Sequence, residues 1–307
     1  MKNVLVTGAN GFIGKCLIKK LIAEEINVTA VVRGKFDDEE YYSGQRLSIV
    51  YCDLRDIESL AAQLDKKPVF DAVYHLAWGG TSGDARADYS VQCNNIKYTL
   101  DVIKLAARLK IKRFIGAGSM AEWDNLAYLP VDGATPNGVA MYGAAKIAAH
   151  YMSKIECNKL GVEHVWGIFS NIYGVGDDNN NFVNFASKIM LDGKRPAFTK
   201  GEQNYDFVYI SDFVNGLYLM GEKGKNNSEY FIGSGKPRQL KEYIKLIRDA
   251  IDKDIILYMG EIPFNGISVE IEKLSIEKME MDTGYQAEVD FEIGIAETVK
   301  WLRTKKL

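Results

Sequence analysis

The stretch "NVLVTGANGFIG", Asn3 to Gly14, constrains the fold more than any other part of the chain. Asn3–Thr7 is a short apolar run rich in β-favouring residues, and it ends at a glycine. Phe12–Glu25 then places apolar residues at 13, 17, 18, 21 and 22, which is helical spacing. Gly8, Gly11 and Gly14 fall in the turn between the two. Glycine lets a backbone turn sharply and approach a phosphate closely. A helix that starts there offers unpaired N–H groups and the positive end of its dipole. Three glycines alone also fit a tight turn with no ligand, but the strand–turn–helix context is what a phosphate cradle requires.

The same alternation continues. "VTAVV" (28–32), "LSIVYCD" (47–53), "DAVYHLA" (71–77), "RFIGAGS" (113–119) and "EHVWGIFS" (163–170) read as strands. Helical patterns lie near 56–65, 84–108 and 140–156, the last with an apolar stripe at 144, 147, 148, 151, 152 and 155. Continuous apolar strands separated by helices predict a doubly wound, Rossmann-type α/β fold with a parallel sheet buried on both faces. Past residue 172 the alternation loosens. The expected division is a nucleotide-binding unit over 1–171 and a smaller mixed α/β lobe over 172–307. A strand-then-helix segment near 204–222 is expected to return to the first unit.

Composition narrows the function classes. Apolar residues make up 47% and charged residues 26% of the 307, with a formal net charge of −3, so neither a nucleic-acid partner nor a membrane surface is expected. Cys16, Cys52, Cys93 and Cys157 are scattered, with no C-x-x-C pair and no disulfide framework. His75, His150 and His164 form no ligand cluster, so no metal site is expected. No run approaches the ~20 apolar residues of a membrane span, and the first apolar run is too short for a signal peptide. The expectation is a cytoplasmic protein.

Two positions address a bound dinucleotide. An acid at the end of the second strand bonds the ribose hydroxyls of NAD, whereas an arginine accommodates the extra phosphate of NADP. This chain has Arg33 there, which favours NADP(H) over NAD(H). Asp53, at the end of the third strand, is placed for the adenine amino group or for a simple turn. Further on, "MYGAAK" sets Tyr142 and Lys146 four residues apart, on one face of a helix. That spacing suits an ordinary surface pair as well as a proton donor beside the charge that tunes it.

With "TGANGFIG", "HLAW", "GSMAEW" and "MYGAAK" in this order, the chain resembles the extended short-chain dehydrogenase/reductase family, which modifies nucleotide sugars. The likeness covers essentially the whole chain. It implies Tyr142 as acid/base, Lys146 as its tuner and Ser119 as the group that polarises the substrate oxygen. A cation within ~4–6 Å lowers a phenol pKa by about 1–3 units, which suits protonation of a nascent alkoxide near neutrality. The resemblance also implies cofactor contacts from Asn10, Phe12, Ile13, Leu54, Leu76, Ala77, Trp78, Tyr142 and Lys146. Asn95 matches an asparagine of the family's fourth helix, and Tyr98 replaces its small glycine.

On the substrate side, "SNIYG" resembles the family's Asn-x-Tyr-Gly stretch, with Asn171 towards the sugar nucleotide. "NYDFVYISD" resembles a stretch that opens with an arginine for the diphosphate, here replaced by Tyr205. Arg195, Lys200 or Arg238 are the candidates to supply the missing cation. Sugar 4,6-dehydratases carry Asp and Glu directly after the serine or threonine, and 3,5-epimerase/reductases carry a cysteine at the second position. Met120 and Ala121 stand there, which disfavours both chemistries. Glu122 is either a sugar contact or a structural carboxylate. The leading expectation is an NADP(H)-dependent reductase of the 4-keto group of a nucleotide-linked sugar. The alternative is a nucleotide-sugar 4-epimerase with retained NAD, and the remote one a non-catalytic dinucleotide sensor. The helices at 84–108 and 140–158 correspond to the family's dimer surface, so a homodimer is expected unless their apolar stripes face the sheet.

Overall fold

Local sequence sets the first elements and the sheet gathers them. The computed structural model describes residues 1–36, 46–128, 138, 140–264 and 268–305. The first half runs β1 (Asn3–Thr7), α1 (Phe12–Ala23), β2 (Asn27–Val32), β3 (Leu47–Tyr51), α2 (Ile57–Leu64) and β4 (Ala72–His75). It continues with a 3-10 turn (Asp84–Arg86), α3 (Tyr89–Arg108), β5 (Arg113–Ala117), α4 (Ala121–Tyr128), α5 (Ala140–Leu160) and β6 (Glu163–Phe169). The second half holds β7 (Asn171–Tyr173), α6 (Phe182–Leu191), β8 (Ala197–Phe198), β9 (Asn204–Tyr205), β10 (Phe207–Tyr209) and α7 (Ile210–Lys223). After these come β11 (Ser228–Ile232), β12 (Arg238–Gln239), α8 (Leu240–Ile251), β13 (Tyr258–Met259), α9 (Glu277–Thr283) and α10 (Phe291–Thr304).

Among the described residues the main sheet has seven strands in the order β11-β6-β5-β4-β1-β2-β3, and every pairing in it is parallel. The doubly wound expectation is met. The order reverses between β1 and β4, where Thr7 lies level with His75. A crevice outside the carboxyl ends of the strands opens at such a point. α3 packs along α5, and α1 along α7, so the sheet is covered on both faces. Leu17, Ile18 and Leu21 of α1 are fully buried, each contributing about 1.5–3 kcal/mol.

A second apolar cluster lies apart from the sheet, built from α6, α8, α10 and the short strands. Phe207 sits inside it, with ring centroids 4.8 Å from Tyr243, 5.7 Å from Phe291 and 5.7 Å from Tyr205. Meanwhile α7 packs on α1, and β11 pairs with β6 as the edge strand of the main sheet.

One helical reading needs correction, and one alternative is set aside. The segment 84–108 is not one helix: the 3-10 turn ends at Arg86, and Asp88 caps a fresh helix by accepting from Ser90 N and Val91 N. The apolar stripe of α5 does not face the sheet. The buried face carries Tyr142, Ala145, Lys146, Ala149, Ser153 and Cys157, while Tyr151, Met152 and Ile155 are exposed. Small residues let α5 lie close to the sheet, so the larger apolar side chains are left outside.

Candidate active site

The crevice at the β1/β4 reversal is a cleft of about 700 Å³. Gly8 closes β1 at φ +69°, and a Cβ there would stand 2.6 Å from the backbone of Leu76 and Ala77. Gly14 lies on α1, where a Cβ would stand 2.4 Å from the Gly8 carbonyl oxygen. These contacts seat α1 tightly on the turn. Gly11 differs: its missing Cβ faces only the Gly8 oxygen, at 3.3 Å, so the backbone is open to a ligand. Gly11 caps α1 without any side-chain bond, and no acid sits in the first turn. A pyrophosphate fits these free N–H groups. Below the turn, Thr7 Oγ1 lies 2.8 Å from His75 Nδ1, and His75 Nε2 lies 3.2 Å from Thr99 Oγ1. Burial, assisted by the Lys146 charge, brings His75 down to about 3, so it stays neutral and joins β1, β4 and α3.

Gly8, Asn10, Gly11, Arg33, Asp53, Leu54, Leu76, Ala77 and Trp78 all line the cleft. Asn10 bonds the Lys35 carbonyl at 3.0 Å. Phe12 and Ile13 lie on α1 behind the turn, packed against the core. Arg33 directly follows β2, with no carboxylate ion pair among the described residues. Asp53 is held by Arg55, through its backbone N at 2.9 Å and its Nη2 at 3.1 Å. Burial alone would raise the Asp53 carboxyl, but these bonds and the charges of Arg55 and Arg33 bring it below its usual range. Arg55 also lines this end of the cleft and carries no signal in the sequence beyond its neighbour Asp53.

Tyr142 and Lys146 are both buried, at 8% and 3% exposure. Lys146 Nζ donates to the Ala117 carbonyl at 2.6 Å and stands 3.5 Å over the Trp78 ring. It lies 5.7 Å from the centre of the Tyr142 ring. Trp78 meets Tyr142 edge-on, with centroids 6.1 Å apart. Ser119, just past β5, hydrogen-bonds the Tyr142 phenol. The structure therefore brings Ser119, Tyr142, Lys146 and Trp78 together. It corrects one electrostatic expectation: burial raises the phenol above its ordinary range, against the Ser119 bond and the Arg86 charge, which lower it. Burial also brings Lys146 down to about 7, partly offset by Glu122. Desolvation disfavours both charged forms, so in the free site Lys146 is a weak tuner.

Glu122 is structural. It is 3% exposed; its Oε1 accepts from Ser119 N at 3.0 Å and Trp166 Nε1 at 3.2 Å, and its Oε2 lies 3.0 Å from His150 Nδ1. Asn95 is likewise a brace, exchanging bonds with Gly79 N at 2.9 Å and Gly79 O at 2.8 Å. Tyr98 lines the cleft.

On the substrate side, Met120 and Ala121 lead into α4, and Asn171 Nδ2 lies 3.8 Å from Met120 Sδ and 3.0 Å from the Asp206 carbonyl. Tyr205 pairs with Arg238 across β9 and β12. Arg195 is ion-paired with Glu261 and stacked on Tyr258, and Arg238 is ion-paired with Glu292 at 2.7 Å. Both cations are thus engaged within the second half of the chain. Lys200 lies beside Gly260, near that same Arg195. Two groups escape sequence reasoning. Arg86 stacks 4.1 Å from the centre of the Tyr142 ring. Asp124 of α4 is pushed up to about 6 by burial, against the opposing Arg86 charge. Gly80 and Gly83 in "GGTSGDAR" are the available sign that Arg86 sits on a turn.

A family model for the NAD dependent epimerase/dehydratase family matches residues 4–233. A putative UDP-glucose 4-epimerase of Methanocaldococcus jannaschii is 26% identical, over 98% of this chain and 98% of its own. A dTDP-glucose 4,6-dehydratase of Haemophilus influenzae is 24% identical, over 98% of both chains. Among solved structures, the UDP-glucose 4-epimerase of Thermotoga maritima with UDP-glucose superposes with a TM-score of 0.79 at 22% identity, covering 99% of this chain and 100% of that one. The UDP-glucose 4-epimerase of Thermus thermophilus in complex with NAD gives 0.77 at 20% identity, covering 98% and 99%. A glycine cradle at the sheet reversal, a buried Ser–Tyr–Lys group and a family match over three quarters of the chain agree: this protein belongs to the NAD dependent epimerase/dehydratase family.

Proposed function

We propose that this protein is an NADP(H)-dependent reductase of the 4-keto group of a nucleotide-linked deoxysugar. The observation that carries the cofactor choice is Arg33, which lines the cleft at the end of β2 without a carboxylate partner among the described residues. A guanidinium left unpaired there suits a ribose phosphate and not a bare ribose. Met120 and Ala121 support reduction over dehydration, since a thioether and a methyl cannot move protons. Residues 1–171, together with the 204–222 segment, form the dinucleotide half on this reading, and the rest of 172–307 holds the sugar nucleotide.

The nicotinamide, when bound, supplies hydride exchange at carbon. The protein's part is proton handling at the adjacent oxygen. Ser119 donates a hydrogen bond to the substrate carbonyl, and Tyr142 delivers its phenolic proton as charge builds on that oxygen. Lys146, fixed on the Ala117 carbonyl, would help hold the dinucleotide and favours the phenolate when it is itself protonated.

A second reading, a 4-epimerase that retains NAD, is supported by the solved 4-epimerases with this fold. The deciding experiment incubates purified protein with each cofactor and a panel of nucleotide-linked 4-keto sugars, following the absorbance of the reduced nicotinamide. Net consumption of NADPH supports the reductase. Interconversion of 4-epimers with no net consumption overturns it in favour of the epimerase. Tyr142→Phe should abolish either activity; turnover left intact would remove Tyr142 as the acid/base, and a wild type that binds the dinucleotide but turns over no sugar would point to a sensor role. The outward Tyr151, Met152 and Ile155 of α5 support a homodimer through α3 and α5. No helix among the described residues is long and apolar enough to cross a membrane, and a cytoplasmic enzyme is the reading adopted.

A further inference from the structure

A nucleotide sugar brings a diphosphate into the cleft, and some cation must meet it. Of the ten arginines in the chain, six hold a carboxylate within ion-pair distance: 46, 55, 108, 113, 195 and 238. Arg248 pairs with its neighbour Asp249, and Arg303 bonds the Ile251 carbonyl. Arg33 stands at the far end of the dinucleotide cleft. That leaves Arg86.

Arg86 has no carboxylate ion pair among the described residues, yet it is held in place. Its Nη1 donates to the Thr81 carbonyl at 2.7 Å, and its guanidinium lies on the Tyr142 ring at 4.1 Å. The turn that carries it is clamped by Gln92, which is 1% exposed and donates to the Gly80 and Ala85 carbonyls at 2.9 and 3.0 Å. Gln92 also accepts from Trp78 Nε1 at 3.0 Å, and Trp78 in turn lies beneath the Lys146 ammonium. A closed set of contacts thus ties the Arg86 turn to Tyr142 and Lys146. Asp124 faces the same space from α4. Elsewhere, Tyr205 offers no charge, and Arg195 and Arg238 are neutralised.

Resting on the function proposed above, we infer that Arg86 is the substrate's anion anchor. Its guanidinium binds an oxyanion of the nucleotide sugar, a diphosphate oxygen or a sugar carboxylate, and so holds the sugar against Tyr142. Among the described residues one of its N–H donors is taken, by the Thr81 carbonyl, and a planar fork matches either oxyanion.

The test measures calorimetric affinity of the NADP⁺-loaded protein for UDP-glucose, dTDP-glucose, CDP-glucose and UDP-glucuronate, together with UDP and uridine. Wild type is compared with Arg86→Gln and Arg86→Lys. Arg86→Gln should weaken the anionic ligands by about 10- to 100-fold. Arg86→Lys should recover part of that, and NADP⁺ affinity should stay within about twofold, which reports an intact fold. Equal losses for UDP and the nucleotide sugars assign the diphosphate; a loss confined to UDP-glucuronate assigns the carboxylate. If wild type binds the sugars and Arg86→Gln binds them equally well, or uridine loses as much as UDP, the inference is overturned while the functional reading stands. If wild type binds none of the four, both fall.

Discussion

Lys146→Met makes the sharpest test of the electrostatics, because it should stabilise the fold while ending the chemistry. Burial takes Lys146 from 10.5 to about 7. At about 1.4 kcal/mol per pKa unit, that is a penalty of about 5 kcal/mol on the charged side chain. Methionine fills similar space with no charge. Against the gain stands the Ala117 carbonyl, which loses its 2.6 Å donor at a cost of about 1–3 kcal/mol. The net gain expected at pH 7 is about 2–4 kcal/mol. The sign with pH follows from proton binding. The native pKa lies below the unfolded one, so between about 7 and 10.5 the unfolded chain binds more protons and wild-type stability rises with pH. The penalty is complete below that window and absent above it. The assay is urea unfolding of the cofactor-free protein and variant at pH 7 and pH 10. The variant's advantage should be clear at pH 7 and shrink or reverse at pH 10. A variant less stable than wild type by the same amount at both values would refute the reasoning.

Three other outcomes are expected. Arg33→Asp should weaken NADP⁺ by about tenfold or more while leaving NAD⁺ unchanged or tighter, read by fluorescence titration. Glu122→Ala strands the Ser119 N–H, the Trp166 indole and His150, and should cost about 3–5 kcal/mol by denaturant unfolding, with Glu122→Gln costing less. Ile155→Asp, on the exposed face of α5, should convert a dimer to a monomer in sedimentation velocity without lowering the melting temperature by more than a few degrees. Unchanged sedimentation would remove α5 from the interface.

Much of the active site is local enough to read along the chain. Tyr142 and Lys146 are one helical turn apart, and Ser119 lies just past a strand, so a motif reports them. Arg86 shows the limit. It reaches Tyr142 across more than fifty positions, from a turn whose shape depends on Gln92 one turn into the next helix. Glu122 is ambiguous in the sequence because its partners, His150 and Trp166, come from a helix and a strand that only the sheet brings beside it. The α5 stripe left two orientations open for a related reason: periodicity shows that apolar residues share a face, not which face the sheet takes. Small Ala145, Ala149 and Ser153 allow the closer approach, and packing selects them.

Sequence alone determined the parallel sheet and the glycine turn, which follow from short-range rules of periodicity and glycine geometry, and its likeness to a family singled out Tyr142 as the candidate phenol. Tertiary structure decided the charge states and the neutralised arginines. Desolvation and pairing depend on every group packed around a side chain, and burial here reversed the direction expected for Tyr142.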